Sequence, residues 1–91
     1  MTRVQRSERF DREVRRLPPD RMKAALESVA KFIVEPALPR LSFRPLKGHS
    51  GHFIINGKHG DRIILRKVED DLYELVDVGP HDNIYRRLDR R

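Results

Sequence analysis

The sequence predicts a two-layer α+β domain, an N-terminal helical hairpin packed on a small antiparallel sheet and followed by a short C-terminal helix. Three observations lead there. Two stretches of helical apolar periodicity flank Pro18-Pro19 in the first 35 residues, three short β-like runs follow between His52 and Val78, and 91 residues leave room for one core only. Residues 1–91 therefore read as a single domain.

Taken in order, Val4 and its neighbours suit a first strand. Ser7 suits the cap of a helix whose Phe10, Val14 and Leu17 recur at helical spacing until Pro18-Pro19 stops it. Asp20 is placed to cap a second helix with the apolar set Met22, Ala25, Leu26, Val29, Phe32 and Ile33, ended by Glu35-Pro36. The arginines on the outer faces, Arg9, Arg12, Arg15, Arg16 and Arg21, read as solvated and carry no expected chemistry. From Ala37 to Gly51 the pattern is irregular and predicts a loop or an edge strand. His52–Asn56, Arg62–Val68 and Leu72–Val78 then form an antiparallel meander joined by the turn-like runs Asn56–Asp61 and Glu69–Asp71. Asp82 is placed to cap the last helix, which leads into Arg86-Arg87-Leu88-Asp89-Arg90-Arg91. Alternation sends Ile63, Leu65 and Lys67 to one side of the middle strand and Arg62, Ile64, Arg66 and Val68 to the other. With the helical hairpin over the first set, Arg62 and Arg66 face an uncovered side.

Charge and composition narrow the function. Charged and hydrophobic residues each make up 37% of the chain, a globular composition with a heavily charged surface. There is no cysteine, which excludes disulfides, thiolate nucleophiles and cysteine-based zinc sites. No apolar run is long enough for a membrane span and no hydrophobic leader opens the chain, so the expectation is a cytoplasmic protein without a membrane partner. The net charge of +6 is uneven: residues 1–39 carry +3, residues 40–67 carry +6 and residues 68–91 carry −3. Arg44, Lys47, His49, Lys58, His59 and Arg66 lie in that basic middle third, the expected phosphate-binding surface. A solvated face, or one that meets an acidic protein, explains the same charge equally well.

The four histidines lack the spacing of a metal motif, and the five glycines fit turns rather than a phosphate-cradling loop, so neither a metal nor another cofactor is expected. What remains is an acid–base set of Asp61, Arg62, His81 and Tyr85, with Arg44, Lys47 and the loop histidines within reach. Such a set suits RNA cleavage. RNA supplies its own nucleophile in the 2′-OH, and histidine moves protons near neutral pH while arginine holds phosphate oxygens. Each residue also has a plainer reading: His81 as a solvated turn residue, Asp61 as a turn former, Tyr85 as core with its hydroxyl at the rim.

The phrases Arg44-Pro45-Leu46-Lys47-Gly48, Asp61-Arg62-Ile63-Ile64-Leu65, Asp70-Asp71-Leu72-Tyr73 and Asp77-Val78-Gly79-Pro80-His81-Asp82-Asn83-Ile84-Tyr85-Arg86, in this order after a helical hairpin, resemble the RelE/ParE toxins of type II toxin–antitoxin systems. The histidine followed four residues later by an aromatic is similar to the YafQ and RelE-type messenger-RNA endonucleases. The resemblance implies a ribosome-dependent mRNA interferase that inhibits translation, with His81 as catalytic histidine, Asp61 as an active-site acid, Arg62 on the phosphate and Tyr85 near the base or phosphate. It implies a cognate antitoxin as partner, messenger RNA and the ribosome as targets, and operator DNA bound only through the antitoxin. Two positions depart from the YafQ-like pattern, where Arg44 and Gly57 stand in place of histidines. The general base is thereby left open between His59 and His49. Two other readings use the same fold: a ParE-like inhibitor that binds DNA gyrase and cuts nothing, and a non-catalytic basic nucleic-acid-binding module.

Overall fold

The computed structural model describes residues 1–89, Asp89 by its backbone alone; Arg90 and Arg91 of the basic tail lie outside the described residues. Its elements are β1 (Arg3–Arg6), α1 (Glu8–Arg16), α2 (Pro19–Val34), β2 (Arg44–Pro45), β3 (His52–Asn56), β4 (Asp61–Glu69), β5 (Leu72–Pro80) and α3 (His81–Asp89). One five-stranded sheet runs in the order β1-β5-β4-β3-β2. The fold class is α+β, as the sequence predicts, but the sheet is mixed rather than antiparallel. β2 to β5 pair antiparallel, while β1 joins β5 in parallel, Arg3 opposite Leu72 and Arg6 opposite Leu75. A meander tied by tight turns must alternate in direction; β1 reaches β5 only by long-range packing and is free of that constraint.

The first helix starts as its sequence dictates, with the Ser7 hydroxyl accepting a hydrogen bond from the Phe10 amide at 3.1 Å. The second does not. Pro18 occupies its cap position and Pro19 its first turn, so Asp20 lies inside the helix and caps nothing. Proline suits that place because its locked φ is already helical and its missing N–H would have had no partner. Leu26 also departs from expectation and is 44% exposed, because the buried stripe of α2 is Ala24, Ala25, Ser28, Val29 and Phe32.

Ile55, Ile63, Leu65, Leu75 and Val78 meet Phe10, Val14, Ala25, Val29 and Phe32 beneath the hairpin. Phe43, Phe53 and Tyr73 complete that layer around Phe32, with ring centroids 5.1 to 5.8 Å apart. The opposite sheet face is not left open. Ile84 and Leu88 of α3 bury Leu46, Ile54 and Ile64 in a second, smaller core flanked by Val76 and Tyr85. Arg62 and Arg66 do point to this side, as strand alternation predicts, but α3 shares it, leaving Arg62 half-buried and Arg66 exposed. Ile64 is fully buried in the smaller cluster. Ile64→Ala is expected to destabilise the domain by about 2–5 kcal/mol, the usual range for emptying a core position, and chemical denaturation would measure it.

Candidate functional site

The antiparallel register collects several predicted residues at one end of the sheet. Asn56, Arg62 and Gly79 form one cross-strand row on the α3 side, Asp61 lies opposite Pro80, and the chain continues from Pro80 into His81. Lys58 and His59 belong to the turn between β3 and β4 at this end. That turn is held by the Gly57 amide donating to the Asp61 carbonyl at 2.9 Å, and His59 takes a left-handed φ of 60° there. Histidine tolerates that region better than most side chains do. Arg44 comes in from the edge strand, its Nη1 donating to the Ser42 carbonyl and, at 3.3 Å, to Asn56 Oδ1.

His81 stands exposed in the first turn of α3, its Nδ1 3.3 Å from Asp82 Oδ1. Tyr85, one turn later, is half-buried, and the two rings meet edge to face at 4.4 Å. Helical spacing produces this pair, since residues four apart share a face. Asp82 therefore serves the imidazole and lies within α3 instead of capping it. Arg62 donates from Nη1 to the Asp61 carbonyl at 3.1 Å, while its buried Nε finds no acceptor among the described residues.

The structure gives Asp61 a different part from the active-site acid expected of it. It is 1% exposed, and both carboxylate oxygens are taken by Arg21, from Nε at 3.0 Å and from Nη2. Arg21 is thus not a solvated helix arginine: the paired hydrogen bonds it donates to Asp61 hold its guanidinium above its ordinary pKa. Asp61 is the sole acid between residues 40 and 67, a hint in the sequence that some cation would claim it. Only the packing of α2 against the start of β4 names which one.

A second buried pair secures α3. Asp77 is wholly buried and accepts from Arg87 at 2.8 Å to Oδ2 and 2.9 Å to Oδ1; Arg87 also donates to the Val78 carbonyl at 3.3 Å. These bonds, led by those to Asp77, raise the Arg87 pKa as well. Both shifts move groups that are already charged at every working pH, so the raised arginine pKa values add no pH dependence near neutrality. Gly79 is required beside Arg87. Its φ is +155°, and a Cβ there would sit 3.3 Å from the guanidinium.

The remaining predicted residues lie elsewhere. Lys47 and His49 belong to the turn joining β2 to β3, and His49 faces His52 with ring centroids 6.3 Å apart. That is the opposite end of β3 from Asn56, about 13 Å away at strand spacing, so these residues do not reach His81. Arg66 is also at that end, opposite His52, and Glu74 neutralises it at 3.2 Å. Lys67 pairs with Asp70 at 3.6 Å. Of the seven Lys and Arg between residues 40 and 67, this leaves Arg40, Arg44, Lys47, Lys58 and Arg62 with no salt bridge among the described residues. All but Lys47 gather around the Arg62–His81 end. Arg40 and Asn56 join the candidate site only through the fold; nothing in their local sequence marks them. Among the described residues no three His, Asp or Glu cluster as metal ligands, and no helix is long and apolar enough to cross a membrane.

No protein-family model matches this sequence, and no curated protein matches it. Solved structures do match in three dimensions. YafQ from E. coli strain BL21(DE3) superposes with a TM-score of 0.73 at 18% identity, covering 93% of this chain and 99% of that one. The RelBE2 toxin–antitoxin complex of Mycobacterium tuberculosis gives 0.71 at 22% identity over 88% of this chain and 98% of that one. The RelB–RelE complex of Methanococcus jannaschii gives 0.72 at 18% identity over 92% and 98%. The chain has the RelE fold, over nearly its whole length and that of its structural neighbours.

Proposed function

We propose that this chain is the toxin of a toxin–antitoxin pair and that it cuts messenger RNA on the ribosome. One observation carries the reading: four cations without acidic partners among the described residues, Arg40, Arg44, Lys58 and Arg62, lie at the end of the sheet that leads into His81 and Tyr85. The RelE fold, which the neighbours described as toxins share, supports it.

In this scheme the 2′-OH of the nucleotide attacks the adjacent phosphorus and gives up its proton. The bond from phosphorus to the 5′-oxygen breaks, and that oxygen takes a proton as it leaves. The products are a 2′,3′-cyclic phosphate and a 5′-hydroxyl. Asp82, accepting from Nδ1–H of His81, leaves Nε2 free to exchange the proton, and Tyr85 fixes the plane of the ring. Arg62 neutralises the charge growing on the phosphate oxygens. His59 shares this end of the sheet and is the second imidazole available; His49 does not. The partner is an antitoxin whose acidic segment covers the basic end, as charge complementarity favours.

Inducing the chain alone in growing cells tests the proposal. Growth should stop, new message ends should map by primer extension to codons on translating ribosomes, and co-expression of the neighbouring frame should restore growth. Arrest without new ends would remove the nuclease and point to DNA gyrase. Phosphate binding should also be selective among the arginines. Arg44→Ala is expected to weaken ribosome binding about tenfold and to flatten its salt dependence, whereas Arg66→Ala, already neutralised by Glu74, should change it less than about threefold. Filter binding across a salt series would measure both.

A further inference from the structure

A second cavity opens on the hairpin side of this end, between α2, the 3-10 turn Pro39–Leu41 and the β3–β4 turn. It measures about 520 Å³ and is lined by Ser28, Arg40, Leu41, Asn56, Gly57 and Lys58. That is room for a nucleotide-sized group. Its charged lining is entirely positive: Arg40 and Lys58 are exposed, and neither has a carboxylate partner among the described residues. The nearest acid along the chain, Asp61, has both carboxylate oxygens bound by Arg21.

The cavity borders the Arg62–His81 end at Asn56. Asn56 belongs to both, since it lines the cavity and stands opposite Arg62 in the sheet, and its Oδ1 accepts from Arg44. The Gly57 amide closes the turn here by donating to the Asp61 carbonyl at 2.9 Å. The two-residue β2 leaves the sheet edge short, so a strand leaving the candidate cleavage point can pass over Asn56 and down to Arg40 and Lys58.

Resting on the endonuclease reading above, we infer that this cavity is a flanking subsite: Arg40 and Lys58 hold a phosphodiester of the same RNA strand next to the nucleotide that is cut. The contacts are to the backbone, so the subsite adds affinity and register without selecting a base. A cavity between α1, the end of β5 and α3 does not suit an anion. Its arginines Arg16, Arg21 and Arg87 are all engaged by Glu13, Asp61 or Asp77.

Messages with a single neutral methylphosphonate linkage, placed in turn at each position around the cut, test this on programmed ribosomes under single-turnover conditions. With the unaltered protein, one linkage other than the scissile one should slow cleavage about tenfold when neutralised, the worth of one charge-assisted contact. In Arg40→Ala/Lys58→Ala the unmodified message should be slowed by a similar factor, and that same linkage should no longer matter. Arg40→Lys/Lys58→Arg should restore the sensitivity, which separates lost charge from a damaged fold. If every linkage affects both proteins alike, the cavity is not a subsite and the endonuclease reading stands. If the unaltered protein cuts no message at all, that reading falls and the subsite with it.

Discussion

His81→Ala is expected to keep the fold and antitoxin binding and to slow message cleavage by about a hundredfold or more, the usual worth of a positioned acid–base group. The side chain is exposed beside Asp82 and Tyr85, so its loss removes little packing. Arg62→Ala should cost a similar factor by withdrawing charge from the phosphate. Single-turnover cleavage on ribosomes, read by primer extension, measures both. Undiminished cleavage after His81→Ala would retain the nuclease and move the proton transfer to His59. A Tyr85→Phe variant, which keeps the ring against His81, should lose far less than His81→Ala if the tyrosine acts mainly by orienting the imidazole.

Arg87→Ala is expected to destabilise the domain by about 3–5 kcal/mol, because it strands the wholly buried Asp77 carboxylate without its counter-ion. A small domain holds roughly 5–15 kcal/mol in total, so most of the protein's stability is at stake, and the melting temperature should fall by about 15 °C or more. Activity should fall with it, since α3 carries His81 and Tyr85 and Arg87 is its polar anchor on β5. The double variant Asp77→Leu/Arg87→Met, which removes both charges and fills the space, should recover much of the stability, as buried pairs often exchange with apolar residues at little net loss. A melt of the double variant as low as that of Arg87→Ala would show that the ion pair itself, and not the stranded charge, holds the helix.

The sequence by itself determined whatever rests on local signals. The Ser7 cap, the stop at Glu35, the bounds of β3 and the alternation along β4 each follow from neighbours a few residues apart, and each is found where the pattern places it. So does the pairing of His81 with Tyr85, which needs only one turn of helix. The tertiary structure decided what depends on chain segments meeting from afar. β1 runs parallel because packing, not a turn, sets its direction. Asp61 becomes a buried partner of Arg21, 40 positions away. The basic middle third is divided: two of its cations are neutralised, Lys47 is sent to the far end, and Arg40, Arg44, Lys58 and Arg62 are gathered at the other. Charge along a chain records how many cations there are, but only burial and register determine which of them keep an acid beside them and which remain available to a phosphate.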